Sequence, residues 1–140
     1  MYKKILIPTD GSEKVKNTVS KLASVFSNID GEIILLAVAE KITPHHFQSK
    51  KKIKSLNEVI LEDAKEDAED LKNLFDEDFN VNIIVRTGRP ADVINEVAEE
   101  EDIDLIVIPK SGKSSLDKFR LGSVTGKVVS NSNTDVLVVT

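Results

Sequence analysis

Two short stretches of this chain hold residue types that could do chemistry. The first is Pro8-Thr9-Asp10-Gly11-Ser12, directly after the apolar run Ile5–Ile7. Asp10 offers a carboxylate that can accept hydrogen bonds from a sugar hydroxyl or a base amine. The same residues also suit a turn and a helix cap, because Asp, Gly and Ser favour those backbone geometries. The two readings are compatible, since Ser12 can cap while Asp10 binds. The second stretch runs from Pro109 to Gly126 and is rich in Gly, Ser and Lys. Small and hydroxyl residues let backbone N–H groups come close to an anion. Gly122 and Ser123 stand where a helical stripe of Val124, Val128 and Val129 begins. Free N–H groups and the helix dipole favour phosphate at such a place. Lys110, Lys113, Lys118 and Arg120 add positive charge there. The competing reading is a flexible surface loop with a capped helix.

Other constellations carry less. Gly112-Lys113-Ser114 matches the end of a P-loop, but that motif needs a Gly five residues before its Gly-Lys. Val107 stands there, inside an apolar run, which excludes it. His45-His46 has no acid or Cys nearby at metal-ligand spacing, so these read as loop histidines. No Gly-x-Ser-x-Gly elbow follows a strand. The third apolar run ends in Arg86-Thr87-Gly88, where a phosphoacceptor protein would need Asp.

The elements that must position these residues can be read from periodicity. Ile5–Ile7, Ile33–Val38, Val81–Val85, Leu105–Ile108 and Val136–Val139 are continuous apolar runs. Runs of that length suit strands buried on both faces. Between them lie helical stripes. Val15, Val19, Leu22, Ala23 and Phe26 form the first. Leu56, Ile60, Ala64, Ala68, Leu71 and Phe75 form the second. Val93, Ile94, Val97 and Ala98 form the third, and the Val124 stripe is the fourth. Ser12 ahead of Glu13, and Gly88-Arg89-Pro90, mark helix starts. The stretch 40–53, with Pro44 and several Lys, reads as a loop. Strand–helix alternation predicts an α/β fold: an open, doubly wound, five-stranded parallel sheet in the order 3-2-1-4-5, with helices on both faces. Ligands of such sheets bind beyond the carboxyl ends of the strands, where the order reverses. Here the first and fourth strands flank that point, and both chemical stretches follow them.

Composition narrows the function. The chain has 140 residues, which predicts one domain, and a net charge of −5. It has one Tyr, no Trp and five Phe, which argues against general nucleic-acid binding. No Cys is present, so disulfides, thiol catalysis and the common structural zinc sites are excluded. The longest apolar runs are too short to span a membrane. The N-terminus lacks the apolar region of a secretory signal, so the cytoplasm is the expected location. The acid-rich stretch 58–78 reads as a solvated helix face, with an acidic docking surface for an unknown basic partner as the alternative.

The pieces together resemble the universal stress protein family over almost the whole chain. Tyr2-Lys3-Lys4-Ile5-Leu6-Ile7-Pro8-Thr9-Asp10-Gly11-Ser12 is similar to that family's first strand and turn, and Leu35-Leu36-Ala37-Val38 to its second strand. Gly88-Arg89-Pro90-Ala91-Asp92-Val93-Ile94 and the run up to Val107 resemble its third helix and fourth strand. Leu121-Gly122-Ser123-Val124 and Val136-Leu137-Val138-Val139 resemble its last helix and strand. Members that bind ATP carry Gly-x2-Gly-x9-Gly-Ser/Thr after the fourth strand. Gly112, Gly122 and Ser123 keep this spacing, whereas the first glycine position is Pro109. Proline has no N–H and a fixed φ, so it cannot copy a donating or positive-φ backbone there.

The resemblance implies an ATP-binding regulatory protein of the stress response. Thr9 and Asp10 would lie near ribose and adenine, with Pro8 in the same turn. Val38 would meet the adenine edge through its backbone, and Ile108 and Pro109 would line the base or ribose wall. Gly112, Lys113, Gly122, Ser123, Val124 and Thr125 would surround the triphosphate. Magnesium would be held by the phosphates, with no dedicated cage of acids. No residue stands out as a general base, so hydrolysis is expected to be slow and the protein not primarily an enzyme. The family also implies a homodimer paired through the last strand, Val136–Val139, whose apolar edge would otherwise be a liability. The alternative is a dimeric interaction module without a nucleotide. It rests on Pro109, the acidic helix and that same strand. An adenylyl transferase would need His-x-Gly-His where this chain has Thr9-Asp10-Gly11-Ser12.

Overall fold

Apolar runs without polar alternation have to be covered on two sides, and the helices of this chain do so. The computed structural model describes residues 2–26, 30–43, 49–112 and 121–140. Its elements are β1 (Lys4–Thr9), α1 (Glu13–Phe26), β2 (Glu32–Ala39), α2 (Lys50–Lys72), β3 (Asn80–Thr87), α3 (Pro90–Glu100), β4 (Leu105–Pro109), α4 (Ser123–Asn131) and β5 (Asp135–Val139). All five strands are parallel, in the order β3-β2-β1-β4-β5. This is the predicted doubly wound sheet.

Successive strand residues face opposite sides, and the core divides accordingly. Leu6, Ile34, Leu36, Ile106 and Ile108 meet Val93, Ile94 and Val97 of α3 and Val128 of α4. On the other face, Ile5, Ile7, Ile33, Leu35 and Val107 meet Val15, Val19 and Phe26 of α1 and Leu71 of α2. Right-handed crossovers put α1 and α2 on one side and α3 and α4 on the other.

One boundary differs from the expectation. Helix α2 begins at Lys50, inside the stretch read as a loop, and Ser49 caps it by accepting from Lys52 N–H. The Asn57 side chain accepts from the Ile42 N–H at 2.7 Å and donates to its carbonyl at 3.0 Å, which ties the incoming chain to the helix. The buried stripe also shifts, because Ile53 is buried whereas Leu56 is 49% exposed. Length explains this. A 23-residue helix is about 35 Å long, and the eight-residue β2 spans roughly 26 Å. Ala64 and Ala68 lie against Ala37 and Ala39 near the end of β2. The turns before Ala64 therefore project past the carboxyl end of the sheet, and Leu56 has no strand to cover. Ala23 and Val129, also placed on predicted stripes, face solvent. Most of the acids of stretch 58–78 are exposed, as a solvated face requires; Asp67 is half-buried. Among the described residues, no helix is long and apolar enough to cross a membrane.

Candidate functional site

Strands β1 and β4 part company early. They pair at Ile5 with Leu105 and at Leu6 with Ile106, and no further. Beyond that, β1 stays paired with β2 through Thr9 and Ala37, and β4 with β5 through Pro109 and Val139. A gap therefore opens at the line where strand order reverses, as the topology demands. A cavity of about 200 Å3 occupies its mouth. Pro8, Thr9 and Asp10 line it from β1, and Ile108, Pro109, Ser111 and Gly112 from β4. Pro90 and Ile94 of α3, with Gly122, Ser123, Val124 and Thr125, complete the wall.

Every candidate residue named above lines this cavity except two. Val38 lies one residue past the Thr9–Ala37 pair, in register with Arg86, and packs into the α3/α4 side of the core. Lys113 lies outside the described residues, as do Lys118, Arg120, Pro44, His45 and His46. Pro90, Ile94 and Ser111 were not singled out from sequence. Ser111 sits in the quoted Gly/Ser-rich stretch, but Pro90 and Ile94 carry only helix-start and core signals. A larger hollow, about 680 Å3, lies at the amino ends of β1 and β2. Asp30, Glu32, Asp76 and Asp78 line it, and their charge would repel an anion.

The β1–α1 turn does both jobs foreseen for it. Ser12 is buried and its Oγ accepts from Val15 N–H at 3.4 Å, while Asp10 Oδ1 accepts from Ser12 N–H at 3.0 Å. Gly11 takes a φ of 76°, a left-handed conformation that glycine adopts without cost, and α2 brings the Asp67 carboxylate against it. The other Asp10 oxygen faces Gly112, so closely that a Cβ on Gly112 would collide with it. Gly122 is needed for space rather than for conformation. Its φ of −60° and ψ of 157° suit any residue, but a Cβ there would lie 3.1 Å from Ser111 Cα. The end of β4 and the start of α4 are thus in contact through glycine, with Gly122 N–H donating to the Lys110 carbonyl at 2.9 Å.

Helix α4 opens on this contact. Gly122 is its N-cap and has no side chain to cap with. The first bond within the helix runs from Gly126 N–H to the Gly122 carbonyl at 2.8 Å. The N–H groups of Ser123, Val124 and Thr125 therefore have no acceptor inside the helix, and all three residues line the cavity.

Pro109 fits its position for a physical reason. Lys110 N–H donates to the Val139 carbonyl, so the backbone of residue 110 points at β5. Alternation turns Pro109 the other way, toward the gap where β1 no longer pairs. No ladder bond is lost by the missing N–H. The Pro109 carbonyl accepts instead from Thr125 Oγ1 at 2.9 Å, and this bond is buried. Thr125 therefore holds the start of α4 against the end of β4. Thr125→Val is expected to leave that carbonyl unpaired and to cost about 1–3 kcal/mol. Urea unfolding checks this, and unchanged stability would contradict it.

Electrostatics add one residue that sequence reasoning passed over. Lys14 Nζ donates to Ser111 Oγ at 2.8 Å and to the Gly112 carbonyl at 3.2 Å. The two partners are nearly a hundred residues away in sequence, and periodicity gives no signal for that. Among the described residues, no group of three or more His, Cys, Asp or Glu could hold a metal ion.

Similarity to known proteins agrees with this architecture. The model of the universal stress protein family matches residues 1–140. The universal stress protein of Methanothermobacter thermautotrophicus is 37% identical over 134 residues, covering 92% of this chain and 89% of its own. Universal stress protein MJ0577 of Methanocaldococcus jannaschii is 32% identical over 154 residues, covering 99% and 95%. A solved structure of MJ0577 superposes with a TM-score of 0.78 at 35% identity, over 99% of this chain and 96% of that one. A universal stress protein solved in complex with cAMP superposes with a TM-score of 0.60 at 25% identity, over 99% and 96%. With a family match along its whole length and the family's sheet order, this chain belongs to the universal stress protein family.

Proposed function

We propose that this chain is a regulatory protein that binds an adenosine nucleotide, ATP in the first place, in the cleft between β1 and β4. The observation that carries the reading is convergence. Asp10, two glycines at close contact and the three uncapped N–H groups of α4 meet at one cavity. The relative in complex with cAMP supports the nucleotide class.

In this reading Pro8, Thr9 and Asp10 take the ribose and adenine, and the Val38 backbone meets the base edge. Ile108 and Pro109 give the apolar wall. Gly112, Gly122, Ser123, Val124 and Thr125, with Lys113, surround the phosphates. The cavity, about 200 Å3, is smaller than the roughly 300–1,000 Å3 of a usual small-molecule site. A whole mononucleotide would therefore lie partly outside it, with the phosphates toward the rim. Magnesium would be held by those phosphates. Asp10 already accepts from Ser12 N–H and is no free base, so hydrolysis is expected to be slow. Occupancy would act on the surface or on homodimer contacts through β5, an edge strand of the sheet. The expected location is the cytoplasm.

Calorimetric titration of ATP, with and without magnesium, tests the reading. Saturable binding with one nucleotide per chain is expected. A folded protein that takes up nothing at millimolar ATP would leave the second reading, an interaction module in which Pro109 replaces the glycine of nucleotide binders.

A further inference from the structure

Helix α1 carries a lysine where helix electrostatics favour an acid. Lys14 is the second residue of α1, next to the positive end of the helix dipole. Its ammonium does not leave for solvent. It reaches Ser111 Oγ at 2.8 Å and the Gly112 carbonyl at 3.2 Å. Both of those residues line the cavity. Gly112 is also the residue that the start of α4 abuts, since a Cβ on Gly122 would lie 3.6 Å from Gly112 N. The ammonium and the uncapped turn of α4 therefore meet the same residue.

The two partners of Lys14 printed by this geometry are a neutral hydroxyl and a neutral carbonyl. A phosphate oxygen is a stronger acceptor, because a bond between two charged groups is about twice as strong as one between neutral groups. The lysine stem is flexible, so the ammonium can change partner without moving the backbone. We infer that Lys14 reads the length of the phosphate chain: its ammonium contacts the outer phosphates of a nucleotide whose first phosphate rests on α4. The inference rests on the nucleotide reading above and adds to it a preference for ATP over AMP. Two other roles are conceivable for this lysine. It could brace the Ser111–Gly112 turn, or balance the charge of Asp10 beside Gly112. Either would affect all ligands alike, adenosine included.

The experiment compares adenosine, AMP, ADP and ATP on the wild type, Lys14→Met and Lys14→Arg, with affinities from calorimetry and folding from thermal melts. Methionine keeps most of the apolar stem and removes the charge. In Lys14→Met the ATP affinity is expected to fall about tenfold, the AMP affinity much less, and adenosine not at all. Lys14→Arg is expected to keep most of the ATP-to-AMP ratio. An unchanged ratio in Lys14→Met, or an equal loss for adenosine and ATP, would overturn the inference while leaving nucleotide binding in place. A wild type that binds none of the four ligands would overturn the nucleotide reading itself, and this inference with it.

Discussion

Gly122→Leu is expected to lower ATP affinity at least a hundredfold, about 2.7 kcal/mol, and to leave the protein folded. The backbone at Gly122 has an ordinary φ of −60°, so a side chain brings no conformational strain. The obstacle is space. A Cβ would stand 3.1 Å from Ser111 Cα, 3.3 Å from Ser111 Cβ and 3.6 Å from Gly112 N. These are mostly backbone atoms of β4's end, which cannot swing aside as a long side chain can. The remaining leucine atoms must then enter the cavity or push α4 away from β4. Either outcome removes the surface on which phosphate would rest against Ser123, Val124 and Thr125. Gly122→Ala grades the effect, because it adds only the tight contact. Calorimetry gives the affinity and circular dichroism the fold. Wild-type affinity in the folded leucine variant would place the phosphates elsewhere.

Leu36→Ala is expected to have the largest effect on stability. Leu36 is fully buried, on the middle of three adjoining strands, in register with Pro8 on one side and Ile84 on the other. It belongs to the cluster with Leu6, Ile106, Ile108 and Ile94, and these close-packed neighbours cannot collapse into the space left. The loss is about 3 kcal/mol, within the roughly 2–5 kcal/mol usual for such truncations. For a chain of this length that lowers Tm by about 10 °C. A net stability of roughly 5–15 kcal/mol leaves the variant folded at 25 °C, with its cleft residues in place. Val129→Ala, on the exposed side of α4, is expected to change stability by less than about 0.5 kcal/mol. Equal melting of the two variants would contradict the assignment of the core.

Much of the architecture was legible before any coordinates. The five apolar runs are continuous because each strand is covered on two faces, and all five appear as strands at nearly the expected bounds. Pro90 and Ser12 marked the starts of α3 and α1 correctly. The start of α2 was not legible. Lys50, Lys51 and Lys52 are exposed and carry no apolar stripe, and the features that order this turn are the Ser49 cap and the Asn57–Ile42 clamp. The overhang that exposes Leu56 also has no local signal. It follows from a helix longer than the strand beneath it.

Residue types alone determined where chemistry could occur: an acid after the first strand, and glycines with a hydroxyl after the fourth. They also determined the strand–helix alternation from which the reversal point follows. Tertiary structure decided what each residue does there. Gly112 has to be small because Asp10, from the first strand, lies against it, and Gly122 because Ser111 does. The Thr125 hydroxyl holds the carbonyl of Pro109. Lys14 reaches the cleft although its partners are 97 and 98 positions away. Such distances depend on how helices of unequal length settle on a twisted sheet. That settling is a property of the packed chain as a whole, and no local stretch of residues records it.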